Sequence, residues 1–168
     1  VSVPRPMPAC NAAIAADPKD YRARKALGDT LVRKKQVPAA IDQYRAAILQ
    51  KPDYVDARVG LAMVHDMRFT YTTDPAELEV AATHARRAIE ASPAHGEAHV
   101  WLAYALWRLG RWDEAYTLAS RARTLAPERE YPPYFMACMQ LERRRPAEAL
   151  PLYQQAVAAM PGFGFAWF

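Results

Sequence analysis

His95 and His99 stand four residues apart with Glu97 between them, the arrangement in this chain closest to a metal-ligand set. On one helix the two imidazoles would share a face, and imidazole is a common zinc ligand. The order is not His-Glu-x-x-His, Gly96 weakens the first turn, and no third ligand is evident. No metal and no cofactor are expected. Cys10 and Cys138 are far apart and match no metal spacing or disulfide framework. The six glycines build no phosphate loop, and no Ser/His/Asp set or carboxylate pair stands out. His65 falls in a column of core positions and reads as a core histidine with its hydrogen bonds satisfied. The residues that could do chemistry therefore predict a chain that is not an enzyme.

What positions these residues is a period. Pro18 and Pro52 are 34 residues apart; Pro93 follows 41 later, then Pro127 and Pro161 at 34 each. A fixed spacing of this size marks a repeat architecture. Between the prolines the pattern reads helix, short turn, helix. Superposing the units aligns Leu27, Leu61, Leu102 and Met136, each followed by a small residue: Gly28, Ala62, Ala103 and Ala137. The second helix brings Ala40, Ala81, Ala115 and Ala149, then Ala47, Ala88, Ala122 and Ala156. Small residues let paired helices approach closely, and the leucine column fills the seam. A proline ends each second helix, because it lacks a backbone donor and disfavours helix in the residue before it.

The predicted divisions are a lead-in over residues 1–18, repeats over 19–52, 53–93, 94–127 and 128–161, and the start of a further repeat over 162–168. Pro4, Pro6 and Pro8 predict no helix before residue 10, with a short one from Cys10 to Ala16. Asp74-Pro75-Ala76-Glu77 offers an N-cap, a first-turn proline and the glutamate of a capping box. Pro151, about five residues into its helix, predicts a kink or a late start. The seven extra residues of the second repeat, around Arg68 to Thr73, predict either a longer hairpin or a protruding contact loop tipped by Phe69 and Tyr71.

These columns resemble the tetratricopeptide repeat (TPR) family over residues 19–161. The family's tryptophan is replaced by Arg24, Arg58, His99 and Pro133, and its phenylalanine by Tyr44, Ala85, Ala119 and Tyr153. The resemblance implies an all-α fold, a right-handed solenoid of antiparallel helix pairs whose concave face binds a peptide or helix of another protein. A carboxylate clamp for chaperone tails is not implied, because only Lys25 matches it; Asp29, Gly60, Glu97 and Trp101 do not.

Helical spacing yields a second stripe on each first helix, opposite the leucine column. It is Arg22, Lys25, Asp29 and Arg33 in repeat one, and Asp56, Val59, Met63 and Asp66 in repeat two. It is Val100, Tyr104 and Trp107 in repeat three, and Tyr131, Tyr134, Cys138 and Leu141 in repeat four. The expected groove is basic at one end and aromatic and apolar at the other. Its side chains either anchor a partner, as Tyr and Trp commonly do, or pack on neighbouring first helices. On the first reading, Trp107→Ala lowers binding and leaves melting nearly unchanged.

The chain carries 22 Lys and Arg against 18 Asp and Glu, a net charge of +4. Its two basic runs, Arg33-Lys34-Lys35 and Arg143-Arg144-Arg145, each fall at a helix end, where cations suit the helix dipole. No nucleic acid partner is expected, and no stretch reaches the roughly 20 apolar residues that span a membrane. Neither end reads as a natural terminus, so a fragment of a longer, bacterial protein is expected, cytoplasmic or periplasmic. The aromatic run Gly162–Phe168 is expected to pack on the last repeat or to mediate self-association. The leading expectation is a non-catalytic protein–protein interaction scaffold; the alternative is a regulatory or substrate-docking segment of an enzyme whose catalytic domain lies elsewhere.

Overall fold

The computed structural model describes residues 6–127 and 131–159. Among the described residues there are nine α-helices and no strand. They are α1 (Met7–Ala16), α2 (Tyr21–Arg33), α3 (Val37–Gln50), α4 (Val55–Thr72), α5 (Pro75–Ala91), α6 (Gly96–Arg108), α7 (Trp112–Leu125), α8 (Tyr131–Glu142) and α9 (Pro146–Ala159). The chain divides after Pro93 into two compact units, α1–α5 and α6–α9. In the first, α2 pairs with α3 and α4 with α5, while α3 packs on α4 and α1 on α2. In the second, α6 pairs with α7 and α8 with α9, while α7 packs on α8.

The aligned columns are the interior of both units. Leu27, Leu61, Leu102 and Met136 are buried, as are all eight alanines of the second-helix columns. The closing prolines act through the residue before them. Asp17, Lys51, Ser92 and Ala126 are the C-caps of α1, α3, α5 and α7, all with φ between −136° and −148°. A following proline favours that extended backbone and stops the helix there.

The first unit is keyed by one ring. Tyr44 on α3 is fully buried. A methyl group on Gly28 of α2 would come within 2.6 Å of its Cε1, and one on Gly60 of α4 within 2.7 Å of its Cζ. Its hydroxyl donates to Asp29 Oδ1 at 2.9 Å. The two glycines thus let three helices close around a tyrosine. Arg24 and Arg58, at the family's tryptophan position, donate to the carbonyls of Pro18 and Pro52. The planar guanidinium fork ties each first helix to the proline that closes the preceding unit.

Each turn within a pair contains one left-handed residue: Lys35 (φ 59°), Thr73 (φ 54°), Gly110 (φ 77°) and Arg144 (φ 58°). In three turns the next amide reaches back five residues, Gln36 to Leu31, Arg111 to Leu106 and Arg145 to Gln140. This is the Schellman closure, which glycine makes without a Cβ penalty. Lys35→Gly and Arg144→Gly are therefore each expected to stabilise the chain by up to about 1 kcal/mol, read as a raised denaturation midpoint. Both basic runs lie across these turns.

Three local expectations change. Helix α1 begins at Met7, before Cys10, because Pro8 sits in its first turn, where a missing N–H costs nothing. Helix α9 starts at Pro146 and runs through Pro151, with no late start. Pro151 and Ala147 are both exposed, so the carbonyl that loses its donor is open to water. The seven extra residues lengthen the hairpin itself: α4 has 18 residues and α5 has 17, against 13 and 14 for α2 and α3. Asp74 caps α5 by accepting from the Ala76 amide at 3.0 Å. Glu77 completes no capping box there, because its carboxylate turns across to His65 and Arg68 on α4.

Candidate functional site

The two histidines take structural positions at the start of α6. His95 is the N-cap of α6, its Nδ1 accepting from the Ala98 amide at 3.3 Å, and His99 is buried. Among the described residues no cluster of three His, Cys, Asp or Glu side chains is placed to hold a metal. Cys138 lies 3.4 Å from the Tyr153 hydroxyl. Burial pushes its thiol pKa up, so the thiolate needed for nucleophilic chemistry is suppressed at neutral pH.

The charged stripe of the first unit lies on α2. Lys25 pairs with Asp29 at 2.8 Å one turn on, so the stripe's one carboxylate is shared between Lys25 and Tyr44. Arg33 donates to Thr30 Oγ1 at 2.9 Å and remains exposed. Arg22 is exposed beside the Tyr21 ring, which meets Tyr54 edge-on at 4.8 Å. Burial, with Asp56 next in effect, pushes the Tyr54 phenol up to about 12. On α4, Met63 is half-buried against the core, and Val59 is buried, leaving little surface to a partner.

The second unit carries the aromatic stripe on α6 and α8, joined as one sheet of rings. Tyr104 lies 5.6 Å from Trp107 and 4.5 Å from Phe135. Phe135 in turn meets Trp107, Tyr131 and Tyr134 at 5.8–5.9 Å. Tyr134 continues to Tyr153 of α9 at 5.9 Å. The ladder has polar ends: Trp107 Nε1–H donates to Glu142 Oε2 at 3.0 Å, and Arg108 donates to the Tyr104 hydroxyl at 2.7 Å. Tyr131 and Leu141 are exposed at its margin, Tyr104, Trp107, Tyr134 and Cys138 are half-buried, and Val100 is buried.

Sequence spacing missed the hub of this ladder. Phe135 is buried beside the Met136 core column and lies outside the Tyr134–Cys138–Leu141 stripe. Its signal was available one repeat earlier: Trp101 holds the same register position, just before Leu102, and meets Tyr104 edge-on at 6.2 Å. A small cleft of about 30 Å³ lies beside the ladder, lined by Glu97, Val100, Trp101 and Tyr131.

Tetratricopeptide repeat models match residues 8–55 and 26–68 in the first unit, and residues 77–136 further on. The chain belongs to the tetratricopeptide repeat family. Solved structures share the fold. TTC0263, a thermophilic TPR protein of Thermus thermophilus, is 20% identical, with 94% of this chain and 82% of that one covered and a TM-score of 0.81. A MamA crystal structure is 17% identical, covering 92% and 86%, with a TM-score of 0.73. The Pseudomonas aeruginosa pilF protein is 21% identical, covering 86% and 64%, with a TM-score of 0.73. Among curated proteins none matches the sequence. The TPR assignment makes the chain a member of a class that typically serves as non-catalytic interaction modules rather than enzymes.

Proposed function

We propose that the chain is a scaffold that binds a peptide or helical segment of another protein on the first-helix faces of its two units. The observation that carries this is the ring ladder of α6 and α8, half-exposed and bordered by Tyr131 and Leu141. Aromatic rings offer large contact area at small entropic cost, and they are the usual anchors of an interface. The α2 face, with Arg22 and Arg33 exposed, favours an acidic stretch in what it binds.

The variant that separates binding from folding follows from burial. Trp107 packs on Tyr104 and Phe135 and donates to Glu142, so Trp107→Ala perturbs stability as well as binding. Leu141 is 44% exposed and lies at the ladder's edge. Peptides selected from a display library against the whole chain should carry aromatic or aliphatic anchors. Leu141→Glu should weaken their affinity by about tenfold or more, as expected for loss of one anchor contact, with melting nearly unchanged. Selected peptides that bind Leu141→Glu as tightly as the parent would refute the assignment of this face. The predicted self-association through Gly162–Phe168 lies outside the described residues.

A further inference from the structure

The insertion that lengthens the second hairpin brings a polar cluster into the first unit. His65 on α4 is 3% exposed, and its Nδ1 is 2.6 Å from Glu77 Oε2 on α5. The other carboxylate oxygen, Oε1, lies 2.9 Å from Arg68 Nη2. One carboxylate therefore bridges two side chains of the facing helix. The imidazole of His84 on α5 stacks on that of His65, centroids 6.0 Å apart and planes 13° from parallel. Among the described residues, the buried atoms His65 Nε2 and His84 Nδ1 have no protein hydrogen-bond partner.

We propose that the α4–α5 hairpin is an acid-sensitive latch, closed while His65 and His84 are neutral and loosened when the stacked pair takes up protons.

The geometry assigns the protons. The Glu77 carboxylate oxygens face Arg68 and His65 Nδ1, so neutral His65 donates through Nδ1 and presents a bare lone pair at Nε2. A proton added at Nε2 meets no acceptor, and a second charge on His84 lies about 6 Å from the first. The charged groups around the pair are Arg45 on α3, Arg58 and Arg68 on α4, and Arg87 and Glu77 on α5. On α2, Asp29 is committed to Lys25 and Tyr44. Glu77 favours a charge on His65, against Arg68 and Arg45, whereas His65, Arg58, Arg87 and Arg45 all oppose a charge on His84.

Burial, more than these charges, lowers both imidazoles from their usual range, His84 to about 4. The unfolded chain takes up these protons near pH 6.5. Between that pH and about 4 the unfolded state binds more protons than the folded one, so stability falls as pH falls and is fully present above about 7.

Hydrogen exchange of the whole chain at pH 7.5 and pH 5.5, corrected for intrinsic rates, tests this directly. Protection in α4 and α5 should fall by about tenfold or more at the lower pH, while α6–α9 change little. His84→Gln, which cannot be protonated, should flatten that response. Equal protection at both pH values, a uniform loss across all helices, or an unchanged response in His84→Gln would each overturn the latch. If His84→Gln does not fold, the exchange pattern of the parent chain decides alone.

Discussion

Tyr44→Ala is expected to destabilise the first unit by about 3–5 kcal/mol, the range for emptying a buried aromatic site. The ring has no solvent exposure and touches α2 and α4 as well as its own helix, so one truncation loosens three packed elements. Asp29 loses a hydrogen-bond donor in the same step and keeps its ion pair with Lys25. The complementary change is Gly60→Ala. Helix propensity alone would make it stabilising by about 1 kcal/mol. The added methyl would instead stand 2.7 Å from Tyr44 Cζ, in a ring packed so closely on Gly28 that a methyl there would also clash, at 2.6 Å from Cε1. Overpacking of this kind costs about 1–3 kcal/mol, so Gly60→Ala should be net destabilising. In the Tyr44→Leu background the clash disappears, and Gly60→Ala should become neutral or favourable. Denaturant midpoints of the four variants in this cycle measure the coupling. Additivity between the two sites would mean that the ring does not sit between the glycines.

Leu102→Ala should cost the second unit about 2–5 kcal/mol. Leu102 is 5% exposed and lies on α6, which pairs with α7. Its neighbours in register, Ala103 and Ala98, are fully buried and too small to swell into the cavity left behind. Collapse of the site is therefore limited, which places the cost toward the upper part of that range. Lowered protection of α6 and α7 amides with an unchanged denaturant slope is the expected signature. A loss below about 1 kcal/mol would show that α6 shifts to fill the void.

Most of the fold was legible from spacing. A helix pair needs small residues where backbones approach, a large one in the seam and a stop at its end, and each need is met by residue type alone. The four columns and the prolines therefore marked both helices of every repeat, and every column residue is buried. Local chemistry was legible less evenly. Asp74 and Pro75 predicted the start of α5, because a cap is made by neighbours in sequence. The same motif misplaced Glu77, because a carboxylate follows the strongest field it can reach, and His65 with Arg68 lie on another helix.

The candidate faces divide in the same way. Period 3.6 put Tyr104, Trp107 and Tyr134 on one stripe, and the ring ladder contains all three. It placed Val59 and Val100 there as well, yet both are buried, since the boundary between stripe and core depends on how tightly neighbouring helices close. By itself the sequence determined the family, the helix pairs and the side-chain columns, because these follow from contacts repeated at constant separation. Only tertiary structure decided that Phe135 is the hub of the ladder, that Tyr44 is gripped by two glycines, and that His65, His84 and Glu77 meet. Those contacts join residues from different helices at separations that no repeat period encodes.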